Sequence, residues 1–448
     1  MRKILRWISS KLNFGMEKVF PDSFVFCVGL VFIVYLAGIF IAHKSWFDMI
    51  LYFGKGFWGF LAFSMQMVVL MVVGGMVAIS PLGHRFMKAL ARIPKNSLSA
   101  VVFVTIITSF LTWLQWGLGL IAGGLLCREI AKNLEKLDFK LMVAGAYAGW
   151  SIGLFGLSNT ESLLVNTPGH FLEKTIGLIP FSQTALSPMV LTGVALGTLG
   201  VALLFYLVHP DRQETPVIDI RVKKLLDTEG NIGNELAAKA EMSFAQKLEN
   251  SPLINWCAGL LGLIYIVNWF YTKGFDVNLD IFNFTLLFLA LFLHKTPARF
   301  MRAAEEATKD VFGIIVQFPF YAGIQGMMAS SGLVMIIAQW FVSISTPFTY
   351  QFWNYLSGAV VNFFIPSSGG IWMVQGPIMI EAGRMLGVAD ARVINSFAAG
   401  EVFSNMIQPF WAIPLLSIAG LNIRDIVGYC IMGFILVTLI FFGAMVVF

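Results

Sequence analysis

Apolar residues in this chain fill long continuous runs instead of recurring at the period of an amphipathic helix or a half-buried strand. The runs lie at about 23–42, 56–80, 141–166, 187–208, 253–271, 279–294, 311–330, 393–418 and 426–448. Roughly 20 apolar residues carry a helix across a bilayer, so the pattern predicts nine transmembrane helices. Two more uncharged stretches, Asn96–Cys127 and Tyr350–Ile380, do not fit as simple crossings. One helix of about 30 residues would be some 45 Å long, too long for a hydrocarbon slab of about 30 Å, while two crossings would need about 40 residues. Two half-helices folded back on themselves do fit. Turn-forming residues stand inside each stretch, "TWLQWGLGL" in the first and "IPSSGG" in the second. The expected class is an all-α polytopic membrane protein with about nine transmembrane helices, two re-entrant helical hairpins (about 96–127 and 350–380) and two broken helices (about 141–166 and 393–418).

Composition agrees: 58% of the 448 residues are hydrophobic, 12% are charged, and the mean hydropathy is +0.79. The net charge of +5 is small and the Lys and Arg residues cluster in a few loops, which gives nucleic-acid binding no support and makes the loops orientation signals. "GHRFMKALARIPK" and "REIAKNLEKLDFK" flank the first hairpin, and both read as cytoplasmic, so that hairpin opens inward. The same rule keeps the N-terminus, the loop from His209 to Asn250 and "HKTPARFMRAAEEATK" inside, and nine crossings then leave the C-terminus outside. The basic, amphipathic "MRKILRWISSKLNFGMEK" predicts an interfacial helix before an uncleaved first span. The four cysteines show no CxxC spacing and lie in or beside apolar runs, as small core residues do.

A repeat organises the chain. At a constant offset of 251 residues, Gln66 falls on Gln317, Gly75 on Gly326, Ser80 on Ser331, Gly119 on Gly370 and Gly149 on Gly400. Without a gap this register superposes the two hairpins and the helix after each. Residues 1–208 form the expected first repeat, 209–252 a cytoplasmic linker, 253–271 a connecting helix that inverts orientation, and 272–448 the second repeat. Inverted repeats whose broken elements meet near the midplane are a recurring build of secondary transporters.

The candidate chemistry sits at the breaks, because non-helical backbone at membrane depth must line a cavity or be buried in protein. At the second tip Ser367, Ser368, Gly369 and Gly370 offer hydroxyls and free N–H groups at a helix start, which suits a carboxylate. The bland alternative is a Gly/Ser kink packed between helices. The first tip offers Gln115, Trp116, Gly117 and Gly119. The helix after the first hairpin is interrupted at Ser158, Asn159 and Thr160, and its counterpart carries Ser404, Asn405 and Gln408 before Pro409, which breaks it. Two ionisable residues, Glu161 and Glu401, stand in these segments as candidates for a coupling proton or cation, with a snorkelling helix-end carboxylate as the alternative for Glu161. Oxygens of Asn159, Thr160, Ser404 and Asn405 are the candidates for holding Na+. No catalytic residues or cofactor are expected, since no HExxH, GxSxG or Walker phosphate loop accompanies a suitable fold. The rivals are an uncoupled channel or facilitator, and an intramembrane enzyme in which Ser158, Glu161 and His170 would have to converge.

"WGLGLIAGGLLCREIA", "GWSIGLFGLSNTESLLVNTPGH" and "FFIPSSGGIWMVQGPIM" resemble the signature regions of the AtoE-type short-chain fatty acid transporters, and the resemblance covers essentially the whole chain. That family is grouped with the ion-transporter superfamily, and the span and hairpin count also resembles the p-aminobenzoyl-glutamate transporter group. The resemblance implies an elevator-type secondary carrier that moves acetoacetate- or butyrate-like monocarboxylates with H+ or Na+ across the bacterial inner membrane, and because an elevator needs a fixed scaffold a homodimer is expected. In dicarboxylate relatives Ser-Asn-Thr stands at both hairpin tips. Here "SNT" lies in the broken helix and the second tip is "PSSGG", so sodium ligands do not carry over residue by residue.

Overall fold

The computed structural model describes residues 23–210, 243–309, 311–363, 365–408 and 410–448, and these are helical with no strand among them. The expected N-terminal interfacial helix, most of the linker, and Pro409 lie outside the described residues. The first half runs α1 (Ser23–Phe40), α2 (Trp46–Gly56), α3 (Leu61–Ala78), α4 (Pro81–Leu90), α5 (Ser97–Leu114), α6 (Trp116–Asn133), α7 (Phe139–Gly153), α8 (Thr160–Val165) and α9 (Pro188–Val208). After α10 (Pro252–Lys273) come α11 (Leu279–His294), α12 (Pro297–Thr308), α13 (Phe312–Ser331), α14 (Leu333–Ile344), α15 (Tyr350–Asn362), α16 (Ser368–Met385), α17 (Asp390–Ser404), α18 (Ala412–Ala419) and α19 (Ile423–Val447). Six of them, α3, α5, α9, α10, α13 and α19, are long and apolar enough to cross a bilayer.

Helix bounds follow the offset of 251. Shifted by that number, α7 becomes 390–404, the bounds of α17, and the starts of α2 and α3 become 297 and 312, those of α12 and α13. The remaining pairs from α4/α14 to α8/α18 start within two residues of each other on the same shift.

Both anomalous stretches are pairs of helices that turn back. Gln115 is the sole residue between α5 and α6; it is extended (φ −159°, ψ 123°), ends one helix and caps the next by accepting from Leu118 N. The base is closed where Asn133 Nδ2 donates to Ala91 O at 3.1 Å and Asp138 N donates to Ser97 Oγ at 2.9 Å, so both ends of the hairpin lie on one side. In the second, Tyr350 donates to Met379 O at 2.5 Å and Gln375 Nε2 to Ser357 Oγ at 2.9 Å, tying α15 to α16. The helix after each hairpin packs on its first arm, α7 on α5 and α17 on α15. Gly149 and Gly400, 251 apart, allow this: a Cβ at either would run into a main-chain carbonyl oxygen, that of Thr105 or of Tyr355.

Three features differ from the expectation. The run at 56–80 is preceded by a separate helix, α2, whose N-cap Ser45 accepts from Asp48 N at 3.0 Å. Residues 333–344 form a separate helix, α14, set off by Ser330, Ser331 and the left-handed Gly332 (φ 86°) before it and by Ser345, Thr346 and Pro347 after it. The hairpin arms also run further, to Asn133 and Met385, so that Arg128 and Glu129 lie within α6 and Glu381 and Arg384 within α16.

Candidate functional site

Each hairpin tip is bonded to a helix break. Leu157 N donates to Trp113 O at 2.7 Å and Trp116 N to Ser158 Oγ at 2.9 Å, so the gap between α7 and α8 is satisfied by the first tip. At the second tip Trp411 Nε1 donates to Pro366 O at 2.9 Å. The two breaks are also bonded to each other: Tyr147 donates to Asn405 O and Gln408 O at 2.7 and 3.0 Å, and Ser151 to Val402 O at 2.7 Å. The carbonyls that lose helical partners where α17 ends thus find hydroxyls on α7.

Between tips and breaks lies a cavity of about 280 Å³, at the small end of the roughly 300–1,000 Å³ usual for small-molecule sites. Its polar lining comes from Ser158, Asn159 and Thr160 at the first break, Ser367, Ser368 and Gly369 at the second tip, and Glu401 and Asn405 at the second break. Its apolar lining comes from Trp116, Trp150, Leu154 and Trp411, and from Met67 and Met71 on α3 and Phe312 and Phe318 on α13, while Gln317 on α13 adds a polar amide. Trp411 packs against Trp116 and Trp150 at 5.5 and 6.2 Å between ring centroids. A slot of this kind, mostly apolar with convergent small donors, suits a short acyl chain with one polar head.

The other expected residues sit behind this surface. Gln115 is 1% exposed and spends its amide on Leu70 O and Leu118 N, which fixes the tip against α3. Gly117 and Gly119 face Gln115 and Thr112, and Gly370 faces Tyr321. Ser404 donates to Glu401 O and accepts from Asn362 Nδ2. His170 is held by Gly177 O at 3.0 Å, away from the cavity lining, and burial lowers its affinity for a proton below that of an ordinary histidine. Arg384, beyond the second hairpin tip, is bidentate on Asp390, with Nη2 to Oδ2 at 2.8 Å.

Both acids are interior. Glu161 is 0% exposed; Asn159 Nδ2 donates to its Oε2 at 3.0 Å, and its Oε1 has no donor. Glu401 is 1% exposed and lines the cavity; the side chains of Ser368 and Asn405 approach its carboxyl group, and its Oε2 has no donor. Glu401 lies within reach of the charge of Glu161. Among the described residues neither has a basic ion-pair partner. Two buried carboxyl groups without a basic partner are costly to hold as a pair of anions.

Trp150, Trp411, Met67, Met71 and Asn362 were not singled out in the sequence. An aromatic or Met residue inside an apolar run looks the same whether it faces lipid or a cavity. The repeat carried one usable signal, since the shift of 251 sets Trp150 on Glu401 and Thr160 on Trp411.

Comparison with known proteins bears on the whole chain. A family profile described as "Short chain fatty acid transporter" matches residues 4–448. A protein of Escherichia coli K12 named for short-chain fatty acid transport is 35% identical over 435 residues, covering 97% of this chain and 98% of its own. A Haemophilus influenzae protein named likewise is 34% identical over 441 residues with the same coverage. Among solved structures, the YdaH transporter of Alcanivorax borkumensis superposes with a TM-score of 0.57 at 14% identity, over 95% of this chain and 97% of that one. MtrF of Neisseria gonorrhoeae, described with a class of antimetabolite efflux pumps, superposes with a TM-score of 0.50 at 11% identity, over 96% and 95%. At these identities the likeness to the two structures concerns the fold.

Proposed function

The chain belongs to the short-chain fatty acid transporter family, and from that premise we propose that it is a secondary carrier moving monocarboxylates of the acetoacetate and butyrate kind together with H+ or Na+. The observation that carries this reading is the single cavity on which the second hairpin tip, the first tip's Trp116 and both helix breaks converge. A carboxylate would sit at Ser367–Gly369, where helix α16 begins, and the acyl chain would lie against Trp116, Trp150 and Trp411. Glu161 and Glu401, buried and lacking basic partners, are the groups to hold the coupling cation. Oxygens of Asn159, Thr160 and Asn405 border the same space and would complete a shell for Na+, with Ser404 one layer behind.

The inverted-repeat reading is supported by the shared helix bounds, and an elevator movement by the composition of the cavity wall. Hairpins and broken helices supply one side, and the unbroken helices α3 and α13 supply the other, so sliding of the first body along the second would carry the site across the membrane. A homodimer would hold α3 and α13 fixed. The family supports the bacterial inner membrane as the bilayer, and the loop charges already described support a cytoplasmic N-terminus and a C-terminus outside.

The test is uptake of labelled butyrate or acetoacetate into proteoliposomes with proton and sodium gradients imposed one at a time. Accumulation driven by one of them is expected. Flux that ignores both would make the protein a facilitator, and the absence of flux would end the proposal.

A further inference from the structure

The start of α16 is the strongest anion-binding element facing the cavity. Ser367 caps it by accepting from Gly370 N at 3.3 Å, which leaves the N–H groups of Ser368 and Gly369 without acceptors in the helix. A carboxyl group shares the cavity with them. Glu401, 1% exposed, lines the same cavity, meets the side chain of Ser368, and keeps one oxygen that no donor reaches. The titratable group placed against it is Glu161, at the start of α8; of the cations on the helices packed around α17, Lys140 is paired with Asp425 and Arg384 with Asp390, and Arg424 stands at the start of α19. On its own helix, the formal charges of Asp390 and Arg392 stand at the far end, about 13–16 Å away along the axis.

A substrate carboxylate would need the donors that face Glu401. One helix terminus in a site without a basic side chain does not serve two anions at once. We propose that Glu401 is the resident carboxylate of this terminus in the empty carrier, and that a substrate carboxylate takes its place only after a monovalent cation, H+ or Na+, has neutralised Glu401. This rests on the reading of the cavity as a monocarboxylate site. Binding of cation and substrate becomes one linked event at one residue.

The experiment is equilibrium binding of labelled butyrate to the purified full chain in nanodiscs, between about pH 5.5 and 8.5, with sodium or choline as the salt cation. If the neutralising cation is a proton, affinity in choline falls about tenfold per pH unit on the alkaline limb. If it is sodium, affinity at fixed high pH rises about tenfold per tenfold increase in sodium while choline has no effect. Glu401→Gln, checked for monodisperse elution, should bind with an affinity that changes less than about twofold across both series. Ser368→Ala should weaken binding about tenfold while keeping the dependence. Wild-type binding that is flat in both series overturns the inference, as does dependence retained in Glu401→Gln or lost only in Glu161→Gln. Absence of butyrate binding by folded wild-type protein under every condition overturns the monocarboxylate reading and this inference with it, whereas saturable but flat binding leaves that reading standing.

Discussion

Glu401 and Trp411 divide the work of the cavity between charge and shape. If Glu401 carries the coupling cation, Glu401→Gln loses the driving gradient but keeps a neutral, hydrogen-bonding side chain of the same size. Proteoliposomes bearing it should accumulate butyrate at least about tenfold less than wild type while exchanging internal for external butyrate at a comparable rate. Unchanged accumulation would remove Glu401 from coupling. Trp411 is a wall and also a strut, because its Nε1–H is the donor to Pro366 O at the second tip. Trp411→Ala leaves that carbonyl without its donor, at a cost of about 1–3 kcal/mol, and should raise the KM for uptake about tenfold or more with protein levels in the membrane preserved. Of these two residues, only the glutamate was legible in the sequence, since a lone carboxylate in an apolar run stands out on solvation grounds and a tryptophan there does not.

Helices and their breaks were largely legible, for a physical reason that also marks the exceptions. Polar and small residues at Gln115, Ser158–Thr160 and Ser367–Gly370 interrupt apolar runs, and each interruption is a place where the backbone leaves helical geometry and a side chain caps the next helix. Residues 333–344 escaped notice although Ser330, Ser331 and Gly332 stand before them, because no charge interrupts the sequence from Val311 to Ile380 and a short apolar helix has the composition of part of a longer span. The close approach of α5 to α7 and of α15 to α17 was foreshadowed only by the paired glycines. Gly149→Val and Gly400→Val each force bulk into a main-chain carbonyl of the neighbouring arm. Both should lower the unfolding midpoint of the detergent-solubilised protein by the equivalent of about 1–3 kcal/mol, against little change for Gly443→Val, whose Cβ would meet nothing within 4 Å. A larger effect at Gly443 than at Gly149 would refute the packing assignment.

At the scale of the whole molecule, one cavity between hairpins, breaks and two unbroken helices implies that a single ligand guards residues far apart in the chain. In a background where Cys257, the exposed native cysteine, is replaced by Ser, cysteines introduced at Ser367 and at Trp116 should both be shielded from a thiol reagent by butyrate. Shielding of one without the other would mean that the tips do not share a site. The bonds from Tyr147 and Ser151 to Val402, Asn405 and Gln408 carry a different implication. They make each half the guarantor of the other's integrity: a fragment ending in the polar loop before α10 leaves its partner with main-chain carbonyls that hydrocarbon cannot answer. Expressed alone, either half should be recognised as damaged and degraded; expressed together from a chain cut between residues 243 and 251, the two should rescue one another and accumulate as a pair.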